Sequence, residues 1–222
     1  MKRTLFRAAV RDTLPVLTGY LVLGMGFGIL MHSAGYGMMW AVSMSVFIYA
    51  GSMQYAAVGL MTGGATVLTA ALTALAVNAR HLFYGLSMVD RYRGKGAKKW
   101  YMIAALTDET YSLVATSDRG EDYCFLVSLL DHLYWVGGTA LGSLIGSAVR
   151  FDTRGIDFAL TALFLTVFTD QCRKKENRLP GALGVALTLL CLLLFGQSTF
   201  LIPSMGALLI ALLLLCGKEA RK

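Results

Sequence analysis

Eight apolar runs follow one another through the 222 residues, and the basic residues gather at their ends. The runs lie near 13–31, 37–62, 66–89, 99–117, 123–149, 156–172, 181–196 and 200–217. A helix rises ~1.5 Å per residue, so ~20 apolar residues cross a ~30 Å hydrocarbon core. Backbone exposed to lipid must satisfy its own hydrogen bonds, and open runs of this kind are therefore expected to be helices. A membrane β-barrel would show short alternating segments, which are absent. A soluble helical protein would need a polar face on each helix, and most of these runs lack one. With 56% hydrophobic and 15% charged residues, the chain is expected to be all-α. It reads as a polytopic transmembrane helical bundle of about seven to eight hydrophobic segments. Short connections make one integral membrane domain over residues 1–222 the expectation. The first run is long and glycine-rich for a secretion signal and reads as a retained helix.

The net charge of +7 does not point to nucleic acid. Lys2, Arg3, Arg7 and Arg11 precede the first run, and Arg91, Arg93, Lys95, Lys98 and Lys99 separate the third from the fourth. Arg173, Lys174, Lys175 and Arg178 form a third cluster, and Lys218, Arg221 and Lys222 a fourth. That distribution is the cytoplasmic-loop bias of membrane proteins, with lipid headgroups as partners. It also sets a parity problem. A cytoplasmic N-terminus and a cytoplasmic 91–99 turn need an even number of crossings between them, yet three runs lie there. The same conflict recurs between 91–99 and 173–178. Either one run in each half does not cross fully, or one basic loop lies outside. Cys124, Cys172, Cys191 and Cys216 are widely spaced and the histidines scattered, so no metal or cofactor is expected.

Glycines interrupt two runs, at Gly51-Ser52 and at Gly137-Gly138 with Gly142, where transporter helices often unwind. For Gly24-xxx-Gly28 and Gly138-xxx-Gly142-xxx-Gly146 the favoured reading is close helix packing. Gly24-xxx-Gly28 followed by a run ending at Gln54 is echoed by Gly142-xxx-Gly146 followed by one ending at Gln171. The echo suggests two related halves with glycine-broken helices.

Several ionisable residues sit inside the runs. Counted from the 91–99 turn, Arg80 lies about ten residues before it and Asp108 about ten after, so each is ~15 Å deep. Charges there are costly and normally pair or line a polar pathway. Asn78, His81 and Tyr84 recur at helical spacing around Arg80, whose planar fork suits a carboxylate. That carboxylate is either a substrate's or one of Asp108 and Glu109. A pair that only fixes helix packing is the alternative. Adjacent acids cannot share a helix face, so one of them is expected to face Arg80 and the other a cavity. A buried carboxylate can take up and release protons, and can also hold an ammonium group. Gln54 could present its amide to a substrate or join two helices. Asp157 opens the sixth run, where it either caps a helix or joins the site. Asp131-His132 lies inside the fifth run, with Trp135 one turn on. His132 reads as a packed polar residue, with a proton relay as the other role.

No GxxxxGK[ST] phosphate loop, GxSxG elbow or HExxH motif is present, so no enzyme is expected, and an ATP-driven system would need its ATPase in another subunit. The residues resemble the AzlC family, the larger subunit of bacterial branched-chain amino acid exporters. The matching features are Pro15 with Gly24 and Gly28, Ala50-Gly51-Ser52-Met53-Gln54, Asn78-Ala79-Arg80-His81, Asp108-Glu109, Trp135 with Gly138 and Gly142, and Gly155-Ile156-Asp157-Phe158. The resemblance implies a multi-pass protein of the bacterial inner membrane that exports valine, leucine and isoleucine, with methionine or toxic analogues as further candidates. It also implies a small separate membrane partner of the AzlD type. Gradient-driven, proton-coupled transport is the expected mode. The alternatives are a permease subunit of an ABC-type transporter and a non-transporting membrane scaffold.

Overall fold

Two of the apolar runs enter the molecule, break at mid-depth and return to the side they came from. The computed structural model describes residues 2–92 and 96–149. Beyond them it describes residues 155, 158, 161–162, 165, 168–169, 172–173, 175–197, 199–200, 203–204, 206–208, 210–211 and 214. The described elements are helical throughout. They are α1 (Lys2–Ser33), α2 (Met38–Phe47), α3 (Gly51–Thr62), α4 (Val67–Asn78), α5 (Arg80–Met88), α6 (Ala97–Ala104), α7 (Asp108–Ala115), α8 (Glu121–Ala148) and α9 (Lys175–Phe195).

The long helices α1 and α8 form the spine of the first unit, residues 1–160. They run parallel, because Gly24 abuts Trp135 and Thr139 while Gly28 abuts Thr139 and Ser143. A Cβ on Gly28 would lie 2.3 Å from the Thr139 carbonyl oxygen, and one on Gly142 would lie 2.1 Å from that of Met25. Only glycine permits this approach, so the small-residue motifs are a packing seam. The interruption expected in the 123–149 run is therefore not found: α8 is continuous through Gly137, Gly138 and Gly142.

The 99–117 run is a hairpin of half-length helices. At its start Lys98 pairs with Asp122 at 2.6 Å, and Tyr101 reaches His132 at 2.8 Å. At its tip Thr107 bonds Tyr20, and on the way back Thr110 bonds Asp131. Its end returns to the level it left, where Arg119 lies over the Tyr123 ring and bonds Asp12. The Thr107 side chain caps α7 by accepting from the Thr110 amide, and Asp108 and Glu109 sit favourably in the first turn.

The 37–62 run makes a second hairpin from the opposite end. Ser45 contacts Thr139, Tyr49 stacks on His132, Gly51 meets Trp135, and Tyr55 reaches back to Leu23. Along α8 the path thus goes down to His132 and up again. The turn occupies Ile48–Ala50, just before the expected Gly51-Ser52 position, and α3 starts at Gly51. Tyr49 makes the turn with φ 42°, a left-handed conformation disfavoured for a bulky residue. Ring packing against Tyr20 and His132 holds it there.

Between the hairpins, α4 and α5 continue one another with a single irregular step at Ala79. Met88 and Tyr92, after this step, join the core that contains Ala9, Val114, Tyr123 and Val127. The α1 N-terminus, the α5–α6 connection and the α7–α8 connection therefore share one end, where Arg91 also bonds the Ser117 carbonyl. Among the described residues of 2–149, every lysine and arginine except Arg80 lies in the first third of α1, at Arg91, in the first turn of α6 or in the α7–α8 connection.

Among the described residues three helices, over Arg3–Ser33, Glu121–Ala148 and Asn177–Phe195, are long and apolar enough to cross a bilayer. The outward faces of α4 and α5 carry exposed Leu68, Leu75 and Leu86, a surface suited to lipid. Residues 161–222 form a second compact unit. Its α9 brings Gly181 against Cys172 and Gly184 against Leu208.

Candidate functional site

The hairpin tips and the step at Ala79 place broken helix ends together, with polar side chains among them. Arg80, the first residue of α5, pairs with Asp108 at 3.1 Å and donates to the Ser52 hydroxyl at 2.9 Å. One guanidinium thus ties three broken segments: α5, the first turn of α7 and the first turn of α3. Both members of the pair keep about a third of their side chains exposed. The His81 ring bonds the Asn78 carbonyl at 3.1 Å, with Nδ1 donating, across the irregular step.

A cavity of about 590 Å³ lies beside this pair. It runs from Tyr92 and Lys99 at the basic end to Tyr49, Ala50 and Leu106 at the hairpin tips. Asn78 and His81 supply polar wall, and Ile48, Leu82, Val89 and Ile103 supply apolar wall. That mixture, apolar with a few placed polar groups, is typical of small-molecule sites of this size.

The expected site residues therefore separate into groups. Asn78 and His81 line the cavity, while Arg80 and Asp108 pair behind it. Glu109 points the other way and accepts from Tyr20 at 2.7 Å. Gln54 is fully buried off the cavity wall: its amide donates to Ser45 at 3.0 Å and its carbonyl accepts from Trp135 at 2.9 Å. Asp157 lies outside the described residues. Among the described residues no group of three or more histidine, cysteine or acidic side chains is placed to hold a metal.

At the basic end a polar clasp joins α1 to the α7–α8 connection. Asp12 accepts from Arg119 at 2.6 Å and from Tyr123 at 2.9 Å. The Asp12 carboxylate raises the pKa of the Arg119 guanidinium above its ordinary value.

The model of the AzlC protein family matches residues 15–149, the stretch that carries both hairpins and the Arg80–Asp108 pair. The chain is 43% identical over 210 residues to the branched-chain amino acid transport protein AzlC of Bacillus subtilis (strain 168), covering 92% of this chain and 82% of that one. The chain belongs to the AzlC family. It is also 39% identical over 214 residues to an uncharacterized membrane protein of Helicobacter pylori (strain ATCC 700392 / 26695), with 94% of each covered. The inner membrane protein YgaZ of Escherichia coli (strain K12) is 28% identical over 200 residues, with 82% of each covered. No solved structure matches the chain. This AzlC-family chain is thus a helical membrane protein, and its relatives point to transport rather than to catalysis.

Two acidic or phenolic groups near the tips were not among the expected site residues. Asp131 is completely buried on α8 and accepts from Thr110 at 2.8 Å. Tyr20 of α1 joins Glu109 and Thr107. An acid about eight residues into an apolar run was the available signal for Asp131. Tyr20 gave none, because its partners lie 87 and 89 residues away.

Proposed function

We propose that this chain is a carrier for branched-chain amino acids, driven by an ion gradient and working in export across the bacterial cytoplasmic membrane. The observation that carries the proposal is the set of broken helix ends around one cavity, beside a charged pair at mid-depth. Broken helices supply unpaired N–H and C=O groups, positive at the helix starts, which suit the two ends of a zwitterion. Arg80 and the first turn of α3 would take the carboxylate. Asp108 and Glu109 would serve the ammonium group or a proton. Asn78 and His81 would orient the ligand, with Asp157 completing the site, and Gln54 would hold the α2–α3 hairpin from behind. The B. subtilis relative's name supports the substrate class, as does an apolar wall able to take a branched side chain.

Burial yields only about 0.8 kcal/mol per CH₂, so valine, leucine and isoleucine should overlap as substrates, with methionine close to them. The hairpins would be re-entrant in the bilayer. Only α1 and the α4–α5 pair then cross between the N-terminus and the 91–99 turn, an even number that puts both basic stretches in the cytoplasm. On this reading the cavity opens inward, where an exporter loads. Parallel α1 and α8 suit the first helices of two related halves, in a single transporter domain over residues 1–222. A small AzlD-type membrane subunit is the proposed partner.

Counterflow of labelled leucine in proteoliposomes tests the proposal, with wild type and Asp108→Asn compared at equal incorporation. Trans-valine should accelerate wild-type exchange and not that of the variant. Absence of exchange in wild type would refute the carrier reading.

A further inference from the structure

Glu109 and Asp131 are joined by an unbroken line of hydroxyl groups. Glu109 Oε2 lies 2.7 Å from the Tyr20 hydroxyl, which lies 2.7 Å from Thr107 Oγ1. Thr107 donates to Thr110 at 3.1 Å, and Thr110 donates to Asp131 Oδ2 at 2.8 Å. Tyr20, Thr107, Thr110 and Asp131 are all buried. The second Asp131 oxygen is buried without a hydrogen-bond partner. Among the described residues no salt bridge joins a basic side chain to Glu109 or Asp131. Two like charges in such a place, with no counter-ion, are costly, and one shared proton removes the cost. Hydroxyls both donate and accept, which is the property a relay needs.

We infer that Glu109 and Asp131 share one transported proton, passed between them through Tyr20, Thr107 and Thr110. This rests on the gradient-driven carrier reading. The step conserves every atom. With Glu109 protonated, the Tyr20 hydroxyl turns from Glu109 to donate to Thr107; Glu109 then gives its proton to the Tyr20 oxygen, and Tyr20 gives its own to Thr107. Thr107 gives its proton to Thr110, and Thr110 gives its own to Asp131. Each hydroxyl ends with one proton, and one negative charge has moved from Asp131 to Glu109. The line also crosses between two separate parts of the fold. Thr107, Glu109 and Thr110 ride on the α6–α7 hairpin, whereas Tyr20 and Asp131 belong to the α1–α8 spine. A displacement of the hairpin by about 1 Å would lengthen the Thr110–Asp131 bond beyond hydrogen-bonding range. A ligand engaging Asp108 at the hairpin tip would thereby govern the proton.

The other titratable groups around Asp131 are accounted for. Tyr49 of the α2–α3 turn is held by ring contacts to Tyr20 and His132. Tyr101 of α6 holds the His132 ring, whose other nitrogen bonds the Ser45 carbonyl. His132 is thus occupied on both sides and stands off the line.

The test uses the full chain in proteoliposomes, with whatever small membrane subunit co-purifies with it and a pH-sensitive dye trapped inside. Leucine-dependent proton movement and labelled leucine–valine exchange are measured together. Thr110→Val removes one hydroxyl and keeps both the shape and the capped amide. It should retain exchange while proton movement falls roughly tenfold or more, and Thr110→Ser should restore coupling. Tyr20→Phe, which keeps the ring packing on Trp135, should behave as Thr110→Val does. Unchanged proton movement in Thr110→Val and Tyr20→Phe would overturn the relay. Wild-type exchange without proton movement would overturn it and leave the carrier standing. No wild-type exchange would overturn both.

Discussion

Replacing Gly142 with alanine should force the α1–α8 spine apart. The added Cβ would lie 2.1 Å from the Met25 carbonyl oxygen and 2.5 Å from the Met25 Cα. Both are backbone atoms, so no side chain can swing away, and the helices must separate by about 1 Å to regain ordinary contact. A gap of that size forfeits a quarter to a half of each contact's well of ~0.1–0.2 kcal/mol. Over some twenty atom pairs along the seam the loss is about 0.5–2 kcal/mol, to which strain adds at the level of other overpacked sites, ~1–3 kcal/mol. Gly137 on the same helix is the matched control, because nothing lies within 4 Å of its Cβ position. There alanine should gain up to ~1 kcal/mol from helix propensity. The propensity gain is common to both, so the two variants should differ by about 2–5 kcal/mol, or roughly 4–20 °C in Tm for a chain of this size. Thermal unfolding of detergent-purified protein, followed by circular dichroism, reads this directly. Equal melting temperatures for Gly142→Ala and Gly137→Ala would refute the close parallel seam.

Three further outcomes are expected. Trp135→Phe leaves the buried Gln54 carbonyl without its donor and should cost about 1–3 kcal/mol in the same unfolding assay. Arg80→Lys keeps the charge but cannot hold Ser52 and Asp108 with one planar fork. Leucine exchange per molecule should fall roughly tenfold while protein abundance holds, as a loss of about 1.4 kcal/mol in positioning implies. Asp12→Asn weakens a partly exposed clasp to Arg119 and should lower stability by less than ~1 kcal/mol, with chemical denaturation as the check.

Much of this could be read from the chain. The apolar runs mark the helices, and counting inward from the 91–99 turn places Arg80 and Asp108 at one depth, where they meet. The glycine seam was legible because Gly24, Gly28, Gly138 and Gly142 share one spacing. The hairpins were not legible, for a physical reason: an apolar run of given length has the same composition whether it crosses or turns back. Only the parity of the basic loops hinted that a run in the first half fails to cross. Gly51-Ser52 marked the break in the 37–62 run, but the α2–α3 turn itself rests on Tyr49, a residue that normally avoids left-handed backbone, so its place and its reversal of direction were not marked. At the second turn Thr107 was a visible cap, but capping alone does not distinguish a break from a helix start. Asp131 and Tyr20 acquire their roles from partners on other elements, and Gln54 loses its exposure to Trp135 of α8. Such pairings follow from packing, not from local pattern.

The most direct test of the central claim asks whether branched-chain amino acids occupy the cavity between the hairpin tips. Ala104 lies on its wall and is exposed. Ala104→Cys, made after the native cysteines are replaced by serine or alanine, would be labelled with a membrane-impermeant maleimide in inside-out vesicles. Leucine, isoleucine and valine should slow labelling, and lysine should not. Labelling at the same rate with and without every branched-chain amino acid, in protein that still exchanges leucine, would place the substrate elsewhere and contradict the site described here.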